Sequence, residues 1–126
     1  MRLPLLLQPL FSPKGAEYED AALRFLQSQG LRLVARNYRC RGGEIDLIMQ
    51  QDDYLVFVEV RFRAGRSYGG AAASVTRTKQ QKIRMTASHY LQTHGFNESQ
   101  QACRFDVVAY EGSEQCQWYI NAFQGS

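Results

Sequence analysis

No carboxylate occurs between Val60 and Asn97 of this 126-residue sequence, whereas Arg61, Arg63, Arg66, Arg77, Lys79, Lys82 and Arg84 all fall in that stretch, with His89 and His94 behind them. The net charge is only +3, so most of the positive field comes from one segment. Such a run is either a solvated face or the footprint of a polyanion, and both readings stand at this point. Twelve of the fifteen bases are Arg, whose planar fork suits bidentate contact with phosphate or carboxylate. Cysteine is scarce too. Cys40, Cys103 and Cys116 form no C-x-x-C pair and their number is odd, which argues against a disulfide framework or a structural zinc site. They read as reduced thiols of a cytoplasmic protein. No apolar stretch approaches the roughly 20 residues of a membrane span, so no membrane partner is expected. The opening Met1 to Phe11 superficially resembles a signal segment, but two prolines and a glutamine interrupt it and no small-x-small cleavage site follows.

What is present fits one domain. Hydrophobic residues make up 44% and charged residues 21%, ordinary globular values that exclude wholesale disorder and fibrous repeats. The length leaves no room for a separate cofactor domain. We expect a loosely ordered arm over residues 1–14 and a single domain over 15–126. Apolar Ala22, Leu23, Phe25 and Leu26 share a helical stripe between Ala16 and Gln29, and Gly30 is placed to end that helix. Strand patterns follow over Leu31 to Cys40, Glu44 to Gln50 and Tyr54 to Arg63. Ala64 to Ser74 reads as a loop, Val75 to His94 as a second helix stopping before Gly95, and Arg104 to Tyr110 with Gln115 to Asn121 as a strand pair around Glu111-Gly112-Ser113. The order is α-β-β-β-α-β-β, an α/β fold with a mixed β-sheet flanked by helices.

The most informative feature is the predicted hairpin from Glu44 to Arg63. If Asp52-Asp53 is a two-residue turn, Asp46 lies across from Glu59 on one face, with Cβ atoms about 4.5 to 5.5 Å apart. Period two adds Arg61 to that face. Opposed carboxylates are destabilising unless a cation lies between them or one stays protonated. Ile45, Leu47, Val58 and Val60 border the pair, so it is carried on strands and not on loop. Oxygen ligands so placed suit a hard divalent cation such as Mg²⁺ or Mn²⁺, which can activate water and neutralise charge on a phosphodiester. The competing reading has Asp46 and Glu59 paired with Arg61 or Arg63 on a solvated sheet face. One residue of register slip would separate them.

Taken as a set, Gly43-Glu44-Ile45-Asp46-Leu47-Ile48, Val56-Phe57-Val58-Glu59-Val60-Arg61, Lys79-Gln80, Arg104-Phe105-Asp106-Val107-Val108 and Asn121-Ala122-Phe123 resemble the bacterial YraN family of endonuclease-like proteins. The resemblance runs from Gly15 to Phe123. That family is similar to restriction-endonuclease-like and Holliday-junction-resolvase-like folds, whose motif has an acid on one strand and Glu-x-Lys on the next. By position the resemblance implies Asp46 as the first acid, Glu59 as the second and the Val60 carbonyl as a backbone metal ligand. It implies Glu19 as the acid of the first helix, on the stripe of Ala22, Leu23 and Leu26; an ordinary first-turn glutamate is the alternative. The chain departs from the motif at Arg61, where Lys is expected. Arginine keeps the charge but cannot act as a proton acceptor, which leaves Arg61 to clamp a phosphate, or Lys79 to reach in from the second helix. Asp106 reads as structural, with no assignable partner.

The resemblance and the residues together lead us to expect a Mg²⁺- or Mn²⁺-dependent endonuclease, a hydrolase acting on branched or structured DNA. Asp46, Glu59, Arg61 and Glu19 form its catalytic set. Arg61, Arg63, Arg66, Arg77, Lys79 and Lys82 contact nucleic acid, and Asp46, Glu59 and Val60 hold metal. Two alternatives share the same fold, a nucleic-acid-binding module without catalysis and a protein-interaction adaptor. The sequence neither requires nor excludes a homodimer.

Overall fold

The computed structural model describes residues 14–63, 74–111 and 115–123. Two glycines in the left-handed region close its helices. Helix α1 (Lys14–Ser28) ends where Gly30, at φ 95°, lets its own N–H donate to Gln27 O and the Leu31 N–H donate to Leu26 O, the paired bonds that satisfy terminal carbonyls. Helix α2 (Arg77–Thr93) repeats the device with Gly95 at φ 76° and Phe96 N donating to Leu91 O at 2.8 Å. Its start is set by Thr76, whose hydroxyl accepts from Lys79 N at 3.2 Å, a standard N-cap bond.

The strands are β1 (Arg32–Cys40), β2 (Gly43–Gln51), β3 (Tyr54–Arg63), β4 (Cys103–Glu111) and β5 (Cys116–Tyr119). They form one mixed sheet in the order β1-β2-β3-β4-β5, and the chain order α-β-β-β-α-β-β is the expected one. All pairs are antiparallel except β3 with β4, which are parallel and joined through α2, since parallel neighbours need a crossover connection. Asp52 and Asp53 make a two-residue turn, Asp52 at φ 51°, and the ladder runs from Gln51↔Tyr54 to Leu47↔Val58. That is the register derived from a two-residue turn. Strand β1 is irregular in its pairing. Leu33↔Met49 is followed by Ala35↔Ile48, a bulge, and Asn37 takes φ 51°.

Each sheet face buries its own cluster. On the α2 side Ile48, Leu55, Phe57, Phe105, Val107 and Ala109 pack against Ile83, Ala87, Tyr90 and Leu91. On the α1 side Leu47, Met49, Val56, Val58 and Val108 pack against Ala22 and Leu26. Gly43 seals the start of β2 against α2, because a Cβ there would stand 2.9 Å from Thr86 Oγ1 and 3.3 Å from Lys82 O.

Helix α1 begins at Lys14, so the last residue of the expected arm is helical; residues 1–13 lie outside the described residues. The same holds for residues 64–73, including Arg66, for Gly112 and Ser113 of the second hairpin, and for the Arg63 side chain. Strand β5 stops at Tyr119, short of the expected Asn121, because Asn121 turns to φ 53° and gives its N–H to Asp106 Oδ1 at 2.9 Å. Asp106, which had no assignable partner in the sequence, is fully buried and accepts from Arg104, Trp118 and Asn121. Arg104 also donates to Gln51 at 2.7 Å, which ties β4 to the end of β2. No helix among the described residues is long and apolar enough to cross a membrane.

Candidate active site

Strand β2 turns over at Asp46. Ile45 packs in the α2-side cluster and Leu47 in the α1-side cluster, although residues two apart on a regular strand share a face. The backbone ladder with β3 stops at Leu47↔Val58, and the next link across is made by a side chain, Asp46 Oδ2 accepting from Val60 N at 2.8 Å. Asp46 therefore stands at a fork in the hairpin, open to both layers. From the α1 side it faces Glu19, and from the α2 side it faces Glu59, with which it shares a carboxyl-to-carboxyl hydrogen bond.

Glu59 is the buried member, 4% exposed. Two cations reach it. Arg61 Nε lies 3.1 Å from Glu59 Oε2, and Lys79 Nζ lies 3.7 Å from the same oxygen. Period two supplies Arg61 from the same strand face, while the Thr76 cap sets Lys79 as the third helical residue of α2 and turns it toward the sheet. The Arg61 contact is a charge contact and not an aligned hydrogen bond, since Nε is buried without a hydrogen-bond partner. The cations do not win. Burial first, then the Asp46 charge and the hydrogen bond with Asp46, raise the Glu59 carboxyl to about 8 against the pull of Lys79 and Arg61. At neutral pH the pair thus carries a proton, one of the two ways in which opposed carboxylates become tolerable.

Glu19 is raised as well, by burial and then by the Asp46 charge, with Arg36 opposing. Arg36 holds the acidic side of α1, 3.7 Å from Glu19 Oε1 and 2.8 Å from Asp20 Oδ1. With its amide oriented to suit its neighbours, Asn37 donates to Glu19 Oε1 at 3.0 Å and to Glu44 Oε1 at 3.2 Å. Arg36, Asn37 and Glu44 were not singled out in the sequence. Glu44 carried a readable signal, since it precedes Asp46 by two residues; Arg36 and Asn37 carried none, because only the β1–β2 pairing brings them to α1.

The structure thus brings Asp46, Glu59, Arg61 and Lys79 together, with Glu19 on α1 within range of the Asp46 charge. Arg77 and Lys82 are exposed on α2, and Val60 is half-buried with its N–H committed to Asp46. Among the described residues no three His, Cys, Asp or Glu side chains form a metal-binding group. The two carboxyls at the fork offer oxygen alone, the donor type of a hard dication that keeps several waters and not of a soft or tetrahedral metal.

Residues 18–110 match the pattern of the uncharacterised protein family UPF0102. The chain belongs to that family. A UPF0102 protein of Aeromonas hydrophila is 60% identical over 117 residues, covering 93% of this chain and 89% of the relative. UPF0102 proteins of Herminiimonas arsenicoxydans and Psychromonas ingrahamii are 50% and 51% identical, each covering 98% of this chain and 99% of the relative. The matched span of the UPF0102 pattern includes Glu19, Asp46, Glu59, Arg61 and Lys79.

Proposed function

We propose that this UPF0102 protein is a Mg²⁺- or Mn²⁺-dependent endonuclease acting on branched or structured DNA. The observation that carries the reading is the Asp46–Glu59 pair, two carboxyls in hydrogen-bond contact at a fork in the hairpin with two cations beside them. A pair that exists only to hold the fold would be expected to neutralise itself, yet Glu59 stays raised to about 8 in spite of Arg61 and Lys79. Perturbation of that kind, by burial and a specific charge partner, is a common mark of a functional site.

Asp46, Glu59 and the Val60 carbonyl would hold the cation, and Glu19 would assist from α1. A bound dication there would supply an activated water and neutralise charge growing on the phosphodiester. Arg61 is fixed by its strand to meet a non-bridging phosphate oxygen. Lys79, arriving from α2 with its ammonium 3.7 Å from Glu59 Oε2, would add a second cation for the phosphate. Arg77 and Lys82 extend the positive surface along α2, with Arg63 and Arg66 assigned to the same surface from sequence. The protein is assayed on linear, nicked, flap and four-way DNA with Mg²⁺ or Mn²⁺. The expected result is metal-dependent cleavage that Asp46→Ala abolishes.

A second reading is favoured by one observation. Arg61 and Lys79 already lie within 4 Å of Glu59, as they would in a DNA-binding module that has given up metal. Salt-sensitive DNA binding without cleavage in any metal supports that reading, and the absence of DNA binding supports a protein-interaction adaptor.

A further inference from the structure

A cavity of about 460 Å³ opens on the α2 side of the sheet, where Val75, Gln80, Val107, Tyr119, Ile120 and Phe123 are among its lining residues. Its volume falls within the roughly 300 to 1,000 Å³ of small-ligand pockets. Its position is what connects it to the acid pair. Glu59 pairs with Val107 across β3 and β4, and Val107 pairs with Tyr119 across β4 and β5. The three residues form one row across the sheet, and at about 4.8 Å per strand Tyr119 stands on the order of 10 Å from Glu59. Helix α2 spans the same interval, since Lys79 contacts Glu59 and its neighbour Gln80 lines the cavity. Gln80 is held in place by donating to Val75 O at 3.1 Å.

The walls combine aromatic and aliphatic side chains with polar atoms and open to solvent, with Tyr119 37% and Ile120 54% exposed. Phe123 stacks on Phe105 with ring centroids 5.2 Å apart. An aromatic, open cavity one nucleotide's reach from a phosphate site, with exposed Arg77 on the same helical turn as Lys79, matches a nucleobase on a polyanionic strand. Every base has a π-face to offer an aromatic ring, but only an unpaired one can leave the stack to reach it.

We propose that this cavity holds an unpaired base of a DNA strand whose adjacent phosphate lies at the Asp46–Glu59 pair, so that the substrate class is single-stranded or frayed junction DNA and not continuous duplex. The proposal rests on the reading of the acid pair as a phosphodiester site. The test measures affinity of the full chain, with chelator present, for single-stranded, forked and blunt duplex oligonucleotides, some carrying 2-aminopurine at the unpaired position. Tyr119→Ala is expected to weaken single-strand and fork binding about tenfold, to leave duplex binding unchanged and to abolish the 2-aminopurine fluorescence response, whereas Tyr119→Phe retains all three wild-type values. Ile120→Glu, at a more exposed position, gives the same pattern as Tyr119→Ala and guards against a folding effect. Unchanged affinities, equal losses on duplex and single strand, or no binding of wild type to any DNA overturn the proposal. Base binding without metal-dependent cleavage would overturn the nuclease reading and leave the pocket standing. Cleavage that Tyr119→Ala and Ile120→Glu leave intact on every substrate would do the reverse.

Discussion

Glu59→Gln should make the metal-free protein more stable, and by an amount that depends on pH. An unfolded glutamate titrates near 4.5, whereas burial and Asp46 raise Glu59 to about 8 in the fold. The folded state therefore binds the proton more tightly, and stability falls as pH rises from about 4.5 through about 8. At about 1.4 kcal/mol per tenfold the full effect is about 5 kcal/mol, of which about 3 kcal/mol has developed by pH 7. Glutamine has the shape of the protonated acid without its titration, so the variant escapes this loss. It also forgoes whatever Arg61 and Lys79 return to the anion, so a gain of about 1 to 3 kcal/mol at pH 8 is expected, vanishing near pH 5. Each kcal/mol corresponds to roughly 3 to 5 °C at this chain length. Melting curves of both proteins in chelator between pH 5 and 8.5 measure it. A variant that melts at or below wild type at pH 8, with a pH-independent difference, would mean that Glu59 is an ionised salt-bridge partner and that the proton-sharing pair does not exist.

If the pair binds Mg²⁺, the ion competes with the Glu59 proton, so affinity should rise close to tenfold per pH unit from 6 toward 8 and then level off; titration calorimetry with proton-release analysis reads this directly. Lys79→Ala leaves the Thr76 cap in place, because that bond goes to the backbone N–H, but removes the stronger of the two cations opposing the shift; carboxyl NMR should find Glu59 titrating above about 8. If about four bases of the positive segment contact phosphates, log affinity for DNA should fall against log salt with a slope between about −3 and −4, readable by fluorescence anisotropy. Asp106→Ala should cost about 3 to 5 kcal/mol in chemical denaturation, since it removes the carboxylate partner of the part-buried Arg104 and frees Trp118 and the Asn121 N–H.

How much of this was legible beforehand depends on the range of each interaction. The β2–β3 register followed from a two-residue turn and a period of two, and both are local, so Glu59 and Arg61 could be set on one face from sequence. The helix ends at Gly30 and Gly95 followed from the cost of positive φ for any other residue. What was not legible begins at Asp46. The strand turns over there because Ile45 and Leu47 pack into different layers, and no local pattern records which layer will accept a side chain. The same holds for Asp106, whose partners come from Arg104 on its own strand, Trp118 on the next and Asn121 beyond it.

Sequence by itself determined the elements, their order and the hairpin that carries two of the acids, because backbone geometry and side-chain periodicity act over a few residues. Only the tertiary structure decided that Lys79 from α2 reaches Glu59 and that Glu19 from α1 comes within range of the Asp46 charge. It alone set the Glu59 carboxyl near 8, since desolvation depends on what the whole chain packs around a group and not on the neighbours it has in sequence.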